Sequence, residues 1–416
     1  MKLRSLIASL MLFVAVSIVP CKAVDIIPYP QSVEMTEVAF DKANLENVKY
    51  KKDKKMAPEA YELQIKKNGI VIKSSTPAGR FYAEQTLAQL ADDVVMYCGT
   101  IKDEPRYAWR GLMLDESRHF FGKEQVLKFL DLMGRYKLNR FHWHLSDDQG
   151  WRIEIKAYPE LTKTGGIGCY TDGNAPAKFY TQDEIREIVA YAAERNIMVI
   201  PEIDMPGHSA YFRNAFGFSM DSEEGMKVLE KCIDEFCNEI PASICPYLHI
   251  GSDEVYIADP KGFMKFTENL CKKHNRIAMA WDPGLPSDST TVRQIWNTAA
   301  GSNAASTKKG GKYVDSFMGY LNYYDPIYFT NKVFLHKACA QDIPDTTNAL
   351  GGILCLWNDV RVDDKTRIAL HNGMINGMMV YAERFWNGGT HYCSWYSENG
   401  GLRCGKLSEV APCLHS

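Results

Sequence analysis

From Trp109 onward the chain repeats one unit: a short apolar strand, a polar loop and an amphipathic helix. Strands are expected at Leu112–Leu114, Arg140–His144, Ile197–Ile200, Tyr247–Ile250, Ile277–Trp281, Val292–Trp296, Tyr313–Tyr320 and Ile353–Trp357. Helices are expected at Glu124–Tyr136, Asp183–Arg195, Gly225–Glu239 and Lys261–His274, with a helix-like stretch over Thr366–Asn376. Eight apolar strands, most of them alternating with helices, predict an α/β chain built on a (β/α)8 TIM barrel. The rival is an open doubly wound sheet. Neither GxGxxG nor GxxxxGK[ST] stands at any strand–helix junction, which counts against it.

Upstream the pattern differs. Val24–Pro30 reads as extended, Tyr61–Lys66 and Ile70–Lys73 as a hairpin turning at Asn68-Gly69, and Pro77–Leu90 as a helix with Tyr82, Leu87 and Leu90 on one side. Lys51–Lys55 reads as a solvated loop. A small α+β domain is therefore expected at 24–104, before a catalytic barrel over 105–416. All eight Trp lie at or after Trp109, in keeping with two unlike parts.

Residues 1–23 carry two cations, an apolar run from Leu6 to Val19, then Pro20 and Ala23, the grammar of a secretory signal peptide cleaved after Ala23. The run is shorter than the roughly 20 residues that span a bilayer, so an N-terminal anchor is the lesser reading. Cys21 admits lipidation, but Pro20 before it fits that poorly. No other stretch is long and apolar enough to span a membrane, so an exported protein is expected. With Cys21 removed, eleven of the twelve cysteines remain, an odd number. Cys232, Cys237, Cys245 and Cys271 crowd one region and Cys393, Cys404 and Cys413 another, as disulfides or as buried thiols. A formal charge of −3 with no basic block lacks the footprint of a nucleic-acid binder.

Barrel chemistry sits where strands end at the C-terminal face. There the sequence places Asp115, Arg118 and His119; His142, His144, Asp147, Asp148 and Trp151; Glu202, Asp204 and His208; then His249, Asp253 and Glu254. Later ends bring Trp281, Trp296, Tyr320 with Asn322, and Trp357 with Asp359. Carboxylates and Arg ringed by indoles describe a sugar site. Two chemistries compete for it. His142 and His144, alternating onto one face, could hold a metal with His208, His249 and Asp253. Alternatively, Asp253 and Glu254 are adjacent carboxylates whose side chains diverge, so they reach different parts of one substrate. Sequential neighbours suit a glycosidase in which a 2-acetamido carbonyl of the substrate is the nucleophile.

The segments WRGLMLDESRHFF (109–121), KLNRFHWHLSDDQGWRIEI (137–155), PEIDMPGH (201–208) and LHIGSDEV (248–255), with the late Trp-bearing strand ends, resemble glycoside hydrolase family 20 β-N-acetylhexosaminidases from about Ile27 to Gly388. The resemblance implies that Glu254 is the general acid/base, Asp253 orients the acetamido group and Tyr320 bonds its oxygen. His208, with Asp204 nearby, would tune the acid. Trp281, Trp296 and Trp357 would cage the sugar, Arg118 would hold the 3- and 4-hydroxyls with Asp147 in support, and Asn322 and Asp359 would reach outer hydroxyls. Ser252, Ile353 and Asp359 depart from residues common in the family. The implied activity is retaining, substrate-assisted removal of terminal β-linked GlcNAc or GalNAc by an exported exo-enzyme without cofactor or metal. A catalytically silent glycan-binding protein and a metal-dependent barrel hydrolase are the alternatives. The expected partner is a carbohydrate ending in such a sugar, not nucleic acid.

Overall fold

The computed structural model describes residues 24–163, 178–297, 311–317, 319–321, 329, 330, 333, 348–357 and 374–388. Residues 1–23, Asn322, Asp359 and the C-terminal cysteines lie outside that range.

The small domain is a five-stranded sheet in the order β1-β5-β3-β4-β2. Its strands are β1 (Ser32–Ala39), β2 (Val48–Lys52), β3 (Tyr61–Lys66), β4 (Gly69–Ser74) and β5 (Tyr97–Asp103). Helix α1 (Pro77–Asp92) starts where Thr76 accepts from the Gly79 N–H and Pro77 supplies a preset φ. Its Tyr82, Ala83 and Leu90 pack with Leu63, Ile65, Ile70, Ile72 and Ile101 of the sheet. Two expectations need correction here. Lys66 pairs with Gly69, so the hairpin turns on Lys67-Asn68 and the glycine opens the next strand. Lys51 and Lys52 belong to an edge strand parallel to β4, not to a loop. Exposed lysines on such an edge discourage pairing with another chain. Val24–Pro30 forms no strand.

The second part is a closed barrel of eight parallel strands: β6 (Trp109–Asp115), β7 (Arg140–His144), β10 (Met198–Glu202), β11 (Tyr247–His249), β12 (Ile277–Asp282), β13 (Val292–Ile295), β14 (Tyr313–Asp315) and β15 (Ala349–Leu356). Between β7 and β10 a two-residue hairpin intervenes, β8 (Ser146–Asp147) and β9 (Gly150–Trp151). Helices α2 (Lys123–Arg135), α3 (Gln182–Glu194), α5 (Glu223–Glu239) and α6 (Pro260–Lys273) follow their strands, and short α4 (Ala210–Phe216) lies in the loop after β10. Each is amphipathic at the helical period. In α2, for example, Val126, Phe129, Leu130 and Met133 are buried. Fully burying each such side chain contributes on the order of 1.5–3 kcal/mol. Trp109, Met113, Ile200, Met279, Val314 and Ile353 fill the barrel interior.

The last expected strands shift. The strand over Tyr313–Tyr320 ends at Asp315, and Tyr320 makes only an isolated bridge to Cys355. Most of the stretch read as a helix over Thr366–Asn376 lies outside the described residues, whereas a described helix runs over Met374–Asn387. That helix completes the small domain: Trp386 joins its apolar core and donates Nε1–H to Asp103 Oδ1 at 2.8 Å. Lys137, fully buried, lies 4.5 Å from the same indole and donates to Tyr61 Oη (2.8 Å) and Asp103 Oδ2 (3.2 Å). Arg110, also buried, reaches Glu59 and Tyr82. Both cations belong to the barrel chain yet end in the small domain. Cys98, Cys232, Cys237, Cys245, Cys271 and Cys355 are buried free thiols, so the cluster at 232–271 holds no disulfide.

Candidate active site

Register places the site. Asp115, His144, Glu202 and His249 pair across four neighbouring strands, so the polar ends of β6, β7, β10 and β11 form one layer at the C-terminal mouth. Within it Glu202 is fully buried. Its Oε2 meets His142 Nε2 at 2.8 Å and His144 Nδ1 at 2.5 Å, while Oε1 accepts from Trp281 Nε1 at 2.7 Å. His249 Nδ1 lies 3.1 Å from Oε1 and accepts the Gly251 N–H. Burial alone would raise the Glu202 carboxyl, but the charges of His144, His249 and His142 hold it well below the ordinary range.

The β8–β9 hairpin carries Asp147 into a second array. Its Oδ2 takes His144 Nε2 (3.0 Å) and Arg118 Nη2 (2.8 Å), and Oδ1 lies 3.4 Å from His208 Nδ1. His208 Nε2 lies 3.4 Å from Glu254 Oε2, and that glutamate is 57 % exposed. Desolvation would lower the His208 pKa. The Asp147 contact and the charges of Asp204, Asp147 and Asp253 outweigh it and raise the group to about 10. Asp147 is itself driven down: burial opposes this, but His144, His208 and Arg118 prevail. The imidazole beside Glu254 is therefore oriented by Asp147. Asp204, expected near His208, has a carboxylate oxygen within 4.8 Å of that ring and also accepts the Ser252 N–H at 3.1 Å, its own N–H bonded to Ser146.

The turn after β11 is sharp, with positive φ at Gly251, Ser252 and Glu254, and His208 opposite shares that conformation. A side chain at Gly251 would overlap the Asp204 carboxylate, and Ser252 is small enough to sit buried with its hydroxyl on Met205 O and Ile250 O. Strained residues of this kind persist where surrounding structure fixes them. Here they send Asp253 inward and Glu254 outward. Asp253 Oδ1 is buried and has no hydrogen-bond partner among the described residues. Burial pushes its carboxyl up to about 7, His208 opposing and Glu202 and Glu254 adding to the rise.

Aromatic rings wall the other side. Trp281 lies 5.6 Å from Trp357, Tyr320 lies 5.8 Å from Trp357, and Arg118 lies 5.2 Å over the Trp357 ring. Trp296 packs against the interior cluster containing Trp281 and donates Nε1–H to Pro283 O. Arg118 also faces Asp115 at 3.3 Å, so its fork spans two carboxylates. Ile353, where the family commonly has an acid, is buried in the barrel interior. The structure thus gathers Arg118, Asp147, Asp204, His208, Asp253, Glu254, Trp281, Tyr320 and Trp357, with Trp296 at the edge. Asn322 and Asp359 are outside the described residues. What sequence reasoning missed is the part played by Glu202: alternation puts His142 and His144 on one face, but nothing local shows that a third strand supplies their acceptor. His142, Glu202 and His249 form one of several groups with metal-ligating atoms, yet their contacts are already hydrogen-bond distances.

Residues 107–217 match "Glycosyl hydrolase family 20, catalytic domain" and residues 36–104 match "Glycosyl hydrolase family 20, domain 2". A Beta-hexosaminidase of Porphyromonas gingivalis is 33% identical over 332 residues, 63% of this chain and 42% of that protein. A Beta-hexosaminidase of Vibrio furnissii is 38% identical over 228 residues, 47% of this chain and 37% of that protein. The chain thus spans less than half the length of these two relatives. The chitobiase structure of Flavobacterium johnsoniae superposes with a TM-score of 0.74 at 26% identity, covering 87% of this chain and 69% of that one. Matched in its small domain and in the first part of its barrel, and alike in fold, the chain belongs to glycosyl hydrolase family 20.

Proposed function

We propose that this chain is an exported exo-β-N-acetylhexosaminidase, removing terminal non-reducing β-linked GlcNAc or GalNAc with retention of configuration. One observation carries the reading: two adjacent carboxylates have opposite surroundings. Asp253 Oδ1 is buried and unpartnered among the described residues, as suits a group awaiting a substrate amide N–H, while Glu254 opens to solvent beside His208. In the first step the acetamido carbonyl oxygen attacks C1 as the C1–O bond breaks and Glu254 gives its proton to the departing oxygen. Asp253 takes the amide N–H hydrogen bond, increasing the nucleophilicity of the carbonyl oxygen, and Tyr320 donates to that oxygen. Glu254 then removes a proton from water, which opens the oxazolinium at C1 from the face the leaving group vacated. Two inversions give retention. Trp281 and Trp357 flank the acetamido methyl, and Arg118 binds ring hydroxyls. The names of the relatives support the sugar, and the signal-like residues 1–23 support export.

The test compares nitrophenyl β-N-acetylglucosaminide with the plain β-glucoside on one purified sample. Turnover of the acetamido substrate alone, releasing the β-anomer first as seen by NMR, supports the proposal. Equal turnover of both would overthrow it. Binding of N-acetylglucosamine without turnover would favour a silent glycan-binding protein.

A further inference from the structure

We infer that Glu202 is a positioning residue that ties the acetamido pocket and the acid/base array to one buried carboxylate. The inference rests on the reading of Asp253 and Glu254 given above. Glu202 meets neither Glu254 nor open solvent. Its two oxygens divide their work: Oε1 holds the Trp281 indole (2.7 Å), the wall of the sugar pocket, and Oε2 holds His144 (2.5 Å) and His142 (2.8 Å). From His144 the contacts continue through Asp147 (3.0 Å) and His208 (3.4 Å) to Glu254 (3.4 Å).

Charges along that line alternate. Glu202 and Asp147 are held ionised, and His144 is raised well above its usual value: desolvation opposes this, but Glu202 and Asp147 prevail. His142, on the same oxygen, is instead driven down by burial to about 4. Asp147 therefore meets a cation on each side, and the His208 ring has a single orientation toward the acid. On the other limb, Trp281 can rotate only by giving up a buried acceptor, which is costly. The pocket wall and the proton donor are set from the same point, four strands meeting there.

The test is a double-mutant cycle on the full chain with nitrophenyl β-N-acetylglucosaminide. Glu202→Gln keeps an oxygen for Trp281 but removes the charge facing His144; His144→Gln leaves the Trp281 limb in place and breaks the one to Asp147. Each single variant should lower kcat by about 10- to 100-fold while KM stays within about threefold. The double variant should be no slower than the slower single one, because both act on one path. Multiplying losses in folded variants, or kcat unchanged in Glu202→Gln, would overturn the inference. Should Glu202→Gln not fold, His144→Gln alone decides: retained kcat overturns it. A wild-type chain that leaves the acetamido substrate untouched defeats the functional reading instead, so the two failures are distinct.

Discussion

His208 Nε2 lies 3.4 Å from Glu254 Oε2, and Asp147, 3.4 Å from the far nitrogen, fixes the ring in that position. The cationic imidazole between them has a pKa raised to about 10, against about 6.5 for a free side chain. A raised folded-state pKa contributes stability that is fully present below about pH 6.5 and is lost as pH rises toward about 10. The stability difference between wild type and His208→Gln, read by urea unfolding, should therefore shrink between pH 6 and pH 10. A difference that grows over that window would contradict the charge assignment.

Asp253 faces the pocket with an unsatisfied oxygen, and Asp253→Asn replaces an acceptor there by an amide. Turnover of nitrophenyl β-N-acetylglucosaminide should fall about 100-fold or more, in line with the loss of one preorganised electrostatic contact. Steady-state kcat/KM measures it. A loss below about threefold would remove Asp253 from the acetamido contact.

The same carboxyl, pushed up to about 7, should release a proton when an amide N–H binds beside it. Calorimetric titration with N-acetylglucosamine at pH 7, in buffers of different ionisation enthalpy, should show release of up to about half a proton. At pH 9 the group is already ionised and the release should vanish. Identical heats in all buffers at pH 7 would speak against it.

At the opposite end of the barrel, Lys137 and Asp103 form a buried ion pair 3.2 Å apart beside Trp386. Removing one partner leaves a buried charge uncompensated, so Lys137→Ala should destabilise the fold by about 3–5 kcal/mol. Thermal melting reads the loss, and kcat per folded molecule should stay within about twofold. Activity lost ahead of unfolding would show that this interface reaches the catalytic mouth.

Much of the barrel was legible because periodicity is a local signal. Arg140–His144 was bounded correctly from alternation alone, and the four central helices were found within two residues. Tyr313–Tyr320 was overextended because apolar content there serves a loop that returns to Cys355. Helix Met374–Asn387 overlaps the expected stretch only over its first three residues; beyond them Met and aromatic residues face two cores at once and blur the helical period. In the site, the neighbouring Asp253 and Glu254 announced themselves. Asp147 is named there too, though without its contact to His208, whereas the part of Glu202 is not legible, since its partners come from other strands and only the closed barrel brings them within reach.

Trp386 lies 283 residues beyond Asp103, yet its ring belongs to the core of the first domain. At about 5–20 residues per second, that separation amounts to roughly 15 to 60 s of synthesis. During this interval the emerging sheet lacks one of its largest apolar neighbours, and Asp103 lacks its indole donor. The domain made first is thus the one finished last. Shortening the chain at its far end would be felt first at the beginning.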